Sequence, residues 1–435
     1  MSVITDLRVS DVRFPTSRDL DGSDAMNPDP DYSAAYVVVE TDHPDGLEGH
    51  GFVFTIGRGN EVVVCAVQAL RDHVVGQEAE GLLADMGETW RRLVHDSQLR
   101  WLGPEKGVMH MAIGAVVNAL WDLRSKRAGQ PLWFHLSQMS APEILDLVDF
   151  RYLSDGLTPA EALEILERGR DGRERRLRHL EVAGYPAYTT TPGWLGYTDE
   201  KMVRLCREAV SEGFSLVKLK VGADRAEDRR RLRLAREAVG PDVAIAVDAN
   251  QRWDVDEAVS WIRDLGTDLF WVEEPTSPDD ILGHARIARE IAPVRVATGE
   301  HVQNRIVFKQ MVMTGALQVM QIDATRVAGV NENIANLLLA SRYDVPVCPH
   351  AGGVGLCEAV QHLSMFDYLA VSGSLEGRYI EYVDHLHDHF VDPVVVRNGV
   401  YRVPLAPGAS TQMHERTLTD HQYPHGRVWS AGGKA

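Results

Sequence analysis

The sequence predicts an α/β barrel preceded by an α+β region, on three observations. From Tyr185 onward, short apolar runs alternate with amphipathic helical stretches at a regular period, as repeated βα units require. Ionisable residues close most of those runs. The region before Tyr185 lacks the period and mixes two β-patterned runs with long helical ones.

In chain order, SAAYVVVETD and GHGFVFTIG read as strands. The preceding PTSRDLDGSDAMNPDPDY is too rich in Pro, Gly and Asp for regular structure and reads as a mobile loop. Residues 61 to about 138 read as helical. In VMHMAIGAVVNALWDL, for example, Met111, Ala115, Val116 and Leu120 recur at helical spacing. A further helical stretch runs between Pro142 and about Gly184, and its charged run RGRDGRERRLRHLE reads as a solvated face. The barrel strands are then YPAYTTTPG, SLVKLKVG, VAIAVDAN, LFWVEEP, VRVATGE, LQVMQIDATR, VPVCPHAGG and one near Gly377 to Tyr382. Gly213, Gly240 and Gly266 stand where helix C-caps belong. An open doubly wound sheet is disfavoured, because no Gly-rich phosphate loop follows the first strand and polar residues close many strands instead of one.

Composition excludes several classes of function. The chain has 435 residues, 44% of them apolar and 25% charged, enough for two or three domains of ordinary size. No window approaches the roughly 18 consecutive apolar residues of a membrane span, and the start of the chain has no signal-peptide core, so a soluble cytoplasmic protein is expected. Lys plus Arg total 45 against 63 Asp plus Glu, a net charge of −18. With no basic run to follow a phosphate backbone, nucleic acid is not expected as a partner. Cys65, Cys206, Cys348 and Cys357 form no CxxC pair, which argues against a disulfide framework and a thiolate zinc site.

Lys220, Asp248, Glu274, Glu300, Asp323 and His350 end successive strand runs, 28, 26, 26, 23 and 27 residues apart. In a barrel those ends meet at one mouth. Alone, a strand-end Asp is more often the N-cap of the next helix. Asp248, Glu274 and Glu300 on consecutive strands are different: three clustered carboxylates call for a cation, and an all-oxygen set suits Mg2+ over zinc. In VKLKV, strand alternation turns Lys218 and Lys220 to one face, expected to be the barrel interior. Two ammonium groups there are expected to depress each other's pKa, which makes Lys220 the candidate base. Asp323 and His350 form a carboxylate–imidazole pair for acid or base work. His385, His387 and His389 do not share a helix face and read as structural. Bases on both sides of a Mg2+ site suit abstraction of the α-proton of a carboxylate substrate, since the cation stabilises the resulting enediolate.

KLK ending at Lys220, VDAN, VEEP, TGE, QID and PHAGG together resemble the mandelate-racemase branch of the enolase superfamily, over essentially the whole chain. The longer strings TTPGWLGY, VDANQRWDV, EEPTSPDDILGH, TGEHVQNR and EYVDHLHDHF resemble members of that branch that dehydrate the acid sugar L-fuconate. The resemblance implies a modified TIM (β/α) barrel with an α+β capping domain. The expected divisions are 1–140 for the cap, 141–184 for a helical connection, 185–395 for the barrel and 396–435 for a segment returning to the cap. Loops from Pro15 to Tyr32 and from Phe54 to Asn60 would set specificity. The resemblance further implies Asp248, Glu274 and Glu300 as Mg2+ ligands, Lys220 as the base at C2 and His350 as the acid at the C3 hydroxyl. Asp323 would orient His350, Lys218 would tune Lys220, Asn250 would line the site and Glu381 would lie near the substrate carboxylate. A homo-oligomer is expected. A dehydratase of another aldonic acid, a racemase using the same two bases and a noncatalytic binding protein are the competing readings.

Overall fold

The computed structural model describes residues 2–266 and 268–430. The first region is a three-stranded antiparallel sheet, β1 (Ile4–Arg13), β2 (Ser33–Thr41) and β3 (Gly49–Thr55), with β2 central. Its two predicted strands are there. A third, β1, arises from the start of the chain, whose mixed charged and apolar residues suit an edge. The helix Gly107–Arg127 packs across the sheet with residues on nearly every side buried. The approach needs glycine: a Cβ on Gly49 or Gly51 would stand 2.1 Å or 2.2 Å from the carbonyl oxygens of Ala119 and Ala115. The same helix meets the barrel, where a Cβ on Gly114 would lie 2.3 Å from the carbonyl oxygen of Val327.

The barrel strands are β4 (Tyr185–Thr189), β5 (Leu216–Lys220), β6 (Ala244–Asp248), β7 (Trp271–Glu273), β8 (Arg295–Thr298), β9 (Val319–Met320) and β10 (Ile380–Tyr382). They pair in parallel from β4 to β9, and β10 returns to β4. The expected strand VPVCPHAGG is reduced to a single bridge between Val347 and Met320, continued by backbone bonds from Cys348 to Met320 (2.9 Å) and from His350 to Ile322 (3.0 Å). Pro346 and Pro349 lack the N–H groups that a longer ladder would use. Seven helices, from Asp199–Ser211 to Leu356–Phe366, connect the eight positions. Thr198, Asp224, Asp280 and Asn304 cap four of them through side-chain oxygens. Gly213, Gly240 and Gly266 take the positive φ expected at helix ends.

Alternation along these strands separates two apolar clusters. Outward residues such as Val217, Val247, Val272 and Val296 join the main core under the helices. Inward residues Tyr188, Leu216, Ala246, Trp271, Ala297, Val319 and Cys348 form a second, fully buried cluster that floors the barrel.

A hairpin of β11 (Val396–Arg397) and β12 (Val400–Tyr401) turns at Asn398 and Gly399, both at positive φ, and adds β12 antiparallel to β4. The chain then returns to the first sheet. Met413 N–H donates to the Tyr36 hydroxyl (2.8 Å), Arg13 N–H to His421 (3.0 Å) and Tyr423 N–H to Asp11 (2.8 Å). Residues 431–435 of the expected returning segment lie outside the described residues. The loop Pro15–Tyr32, expected to be mobile, is pinned. Thr16 Oγ1 donates to the Pro30 carbonyl (2.8 Å) and accepts from Tyr32 N–H (2.9 Å), while Asp24 accepts from the Met26 and Asn27 backbones. Its Asp, Ser and Thr side chains supply the hydrogen bonds that regular structure would otherwise provide.

Candidate active site

Above the apolar floor lies a buried charged layer. Lys218, on β5 two residues above Leu216, is fully buried and meets Glu273, Glu381 (2.9 Å) and Asp248 (3.6 Å). Glu273 also accepts from Gln321 (2.7 Å) and Trp271 (3.1 Å). Burial works against the Lys218 ammonium, but these carboxylates outweigh it and hold the pKa well above the ordinary value.

The next layer faces the mouth. Lys220 Nζ donates to Asp248 Oδ2 (2.6 Å), and Asp248 Oδ1 accepts from the Asn250 backbone (2.9 Å). Asp248, Glu273 and Glu300 bring oxygens within 4.8 Å of one another, as do Glu274, Glu300 and His301 with their ligand atoms. Glu274 lies one residue past the strand at φ 41°, where strand alternation has lapsed. Its oxygens accept from Gln251 Nε2 (2.9 Å) and His301 Nδ1 (2.9 Å). Across the mouth, His350 Nδ1 pairs with Asp323 Oδ2 (2.8 Å), and Nε2 lies 3.8 Å from Glu300 Oε2. Asp323 Oδ1 is fixed by the Thr325 (2.6 Å) and Arg326 (3.0 Å) backbones.

All the expected residues therefore lie in or around this layer, with one refinement of chemistry. Burial and, as expected, the Lys218 charge pull the Lys220 pKa down, but Asp248, with Asp24 and Glu300, outweighs them together, so the net shift is upward. Glu381 is saturated by protein. It accepts from Lys218, Thr190 and the backbones of Ala351 (2.7 Å) and Gly352 (3.1 Å), tying the lysine side to the loop that carries His350. Glu273, His301 and Arg326, whose Nε bonds the Glu300 carbonyl (2.9 Å), are additions that the strand-end pattern missed. The doublets Glu273-Glu274 and Glu300-His301 were the available signal.

Burial draws His350 down, yet Glu300 and the Asp323 hydrogen bond raise it above its ordinary value, and Asp323 is lowered in turn. Burial likewise opposes the His301 cation, but Glu274 and Glu300 push its pKa to about 10. Two buried oxygens have room for a further partner: Glu300 Oε2 and Asn250 Oδ1 accept no hydrogen bond from the described residues. With the carboxylates around them, they fit a hard divalent cation. Asp248 and Glu300 thus share one cluster with Glu273, while Glu274 joins Glu300 and His301 in the other. Glu273 is held by fully buried Lys218, whereas the His301 side chain beside Glu274 is 34% exposed.

These groups open on a cavity of about 250 Å3 walled by Lys220, Asn250, Glu300, His350 and Glu381 below, and by Asp24, Tyr32, Phe54, Ile56 and Arg58 from the first region. His387 and His389 are outside it. His387 bonds Glu358 (2.7 Å) and His389 bonds Thr417 (3.0 Å), consistent with the structural reading.

A barrel whose proton-handling groups lie under a lid made by a separate sheet defines a class of enzyme. Residues 29–136 match the mandelate racemase / muconate lactonizing enzyme N-terminal domain, and residues 201–417 the enolase C-terminal domain-like family. The chain belongs to the mandelate racemase / muconate lactonizing enzyme branch of the enolase superfamily. It is 54% identical over 429 residues to mitochondrial enolase superfamily member 1 of Xenopus laevis, covering 98% of this chain and 96% of the relative. It is 50% identical over 427 residues to L-galactonate dehydratase of Hypocrea jecorina, covering 97% and 94%. The crystal structure of human mitochondrial enolase superfamily member 1 superposes with a TM-score of 0.97 at 51% identity, covering 99% and 98%. A Streptomyces coelicolor racemase with bound magnesium gives 0.74 at 26% identity, covering 97% and 100%.

Proposed function

We propose that the protein is a Mg2+-dependent acid-sugar dehydratase acting on L-fuconate. The observation that carries this reading is the placement of two proton-handling units, Lys220 and the His350–Asp323 pair, on opposite sides of Glu300 in one cavity.

Asp248, Glu274 and Glu300 would hold the cation. When bound, Mg2+ takes up carboxylate charge and stabilises the negative charge that develops on the substrate carboxylate. Lys220 removes the C2 proton. Its ammonium must first lose a proton, and its pKa falls as the charge of Asp248 is engaged elsewhere. His350, kept protonated by Asp323 and Glu300, gives its Nε2 proton to the departing C3 hydroxyl, which leaves as water. The enol product then ketonises to a 2-keto-3-deoxy acid. Lys218 and Glu381 position the two sides, Asn250 lines the floor of the cavity, and water is kept out by the loops Pro15–Tyr32 and Phe54–Asn60.

L-fuconate is L-galactonate without its C6 hydroxyl, so both share the same C2–C3 chemistry. The relative named for L-galactonate supports that second substrate. Among the lining residues, Pro30, Phe54, Ile56 and Met111 suit a methyl terminus, and Asp24, Asn27 and Arg58 suit a hydroxyl. A homo-oligomer in a reducing compartment belongs to this reading, and the four cysteines are free. The test is a panel of aldonic acids with Mg2+, in which 2-keto-3-deoxy products are detected with semicarbazide. L-fuconate is expected to give the highest kcat/KM, abolished by EDTA. Higher kcat/KM on L-galactonate would transfer the substrate, and racemised substrate without keto acid would overturn dehydration.

A further inference from the structure

The loop after β4, TTPGWLGY, carries a residue that the mechanism above does not use. Trp194 is 2% exposed, forms part of the cavity wall, and presents its ring to the base: Lys220 Nζ lies 5.6 Å from the ring centroid, within reach of a cation–π attraction. Its backbone is gripped from two sides. From the helix Arg225–Val239, the buried Arg231 donates Nη2 to the carbonyls of Gly193 (3.0 Å) and Trp194 (3.1 Å) and Nη1 to that of Leu195 (3.4 Å). It forms no ion pair among the described residues, so its planar fork serves these three carbonyls. From the lid, the Ser23 carbonyl accepts from Leu195 N–H (3.1 Å) and Ser23 Oγ from Gly196 N–H (2.9 Å). The loop also rests directly on the strand of the base. A Cβ on Gly193 would stand 2.2 Å from the Lys218 carbonyl oxygen.

We propose that Trp194 is a positioning residue for Lys220, and that Arg231 acts on the reaction through Trp194. A lysine ends a flexible four-carbon stem, and Asp248 restrains it only while that carboxylate is free to do so. The indole face supplies a restraint on the ammonium, before it gives up its proton, that does not depend on Asp248. It comes from the loop on which Ser23 docks, so the base and the lid share one support.

The turnover arm rests on the acid-sugar reading; the structural arm does not. Trp194→Leu is expected to lower kcat about 10- to 100-fold while KM changes less than about 3-fold, the signature of a misplaced base. Trp194→Phe keeps an aromatic face and is expected to restore most of kcat. Arg231→Met should reproduce the kcat defect, and the double variant Arg231→Met/Trp194→Leu should be no slower than Trp194→Leu. A loss confined to KM, a Phe variant no better than Leu, or losses that multiply in the double variant would each overturn the proposal. A crystal structure of Trp194→Leu with Mg2+ bound, compared with the wild type in the same state, tests the same point without substrate. Lys220 displaced from its wild-type position supports the proposal, and an unmoved Lys220 overturns it. Should the wild type dehydrate no aldonate, the proposed function fails and the crystallographic arm still decides this one.

Discussion

The floor and the mouth of the barrel are built from the same strands, one or two side chains apart, and they are opposites. On β5 the inward residues are Leu216, Lys218 and Lys220; on β6 they are Ala246 and Asp248; on β7, Trp271 and Glu273. The lowest of these join the sealed apolar cluster, and the uppermost meet as charged pairs. Burial stabilises the floor, at about 25 cal/mol per Å2 of apolar surface removed from water. At the mouth burial opposes the charges, and only their mutual pairing holds them. The floor therefore supplies stability with no chemistry, and the mouth supplies chemistry at the expense of stability.

The sharpest way to break this contrast is at the mouth. Lys220→Ala and His350→Asn are each expected to lower kcat at least about 1000-fold, and Lys220→Ala also to lower the thermal midpoint, since it leaves Asp248 buried without its ion-pair partner. Turnover by either variant near the wild-type rate would remove that residue from the mechanism. The reciprocal test is at the floor. Leu216→Ala should lower the unfolding free energy by about 2–5 kcal/mol in urea titrations while leaving kcat per folded molecule near wild type.

Glu332 sharpens the contrast, because it is a buried charge without a chemical task. It accepts from His110 (2.6 Å) and from the backbones of Arg305 (2.9 Å) and Ala328 (2.8 Å), behind the loops that follow β8 and β9. Burial would raise its pKa, but His110 and Arg305 bring it to about 2. A folded pKa below the unfolded one gives stability that is fully present above pH ~4.5 and lost as the pH falls toward 2. From the size of the shift this is on the order of 3 kcal/mol. Glu332→Gln should be less stable than wild type at pH 6 and show a flatter decline in acid. Next comes the metal. Chelation should abolish turnover, and Mg2+ at 100 times its Kd should return about 2.7 kcal/mol of stability, read as a rise in thermal midpoint. Smallest is the effect of Asp323→Asn on the pH profile. Losing a carboxylate 2.8 Å from His350 lowers the imidazole pKa, so the alkaline limb of kcat should move to lower pH by about one unit.

The strand-end pattern made the mouth legible because a βα barrel gathers every strand end at one place. Lys220, Asp248, Glu300, Asp323 and His350 needed no further information. What it left out has physical reasons. The period of two applies only inside a regular strand, and at Glu274 the chain turns to positive φ, so nothing in the pattern tells Glu273 from Glu274. The charge state of Lys220 depends on its distances to Asp248, Asp24 and Glu300, which spacing cannot give: the like charge of Lys218 does lower its pKa, but these carboxylates outweigh it. The pinning of Pro15–Tyr32 is made by side chains that also favour disorder when unpaired. Trp194 and Arg231 act from a loop and a helix, which strand periodicity does not reach.

The lid is completed by chain that is far from its beginning. Val12 of β1 bridges Gln422, 410 positions later (422 − 12), and Trp429 Nε1 donates to the Arg13 carbonyl (3.0 Å). At about 5–20 residues per second, a ribosome takes roughly 20 to 80 s to deliver that partner. Throughout that interval the Asp11–Arg13 end of the outer edge of β1 is an open template for pairing with other chains. Slower translation or lower temperature during expression, and chaperones that cover nascent strand edges, should therefore govern the yield of active protein more than any property of the finished site.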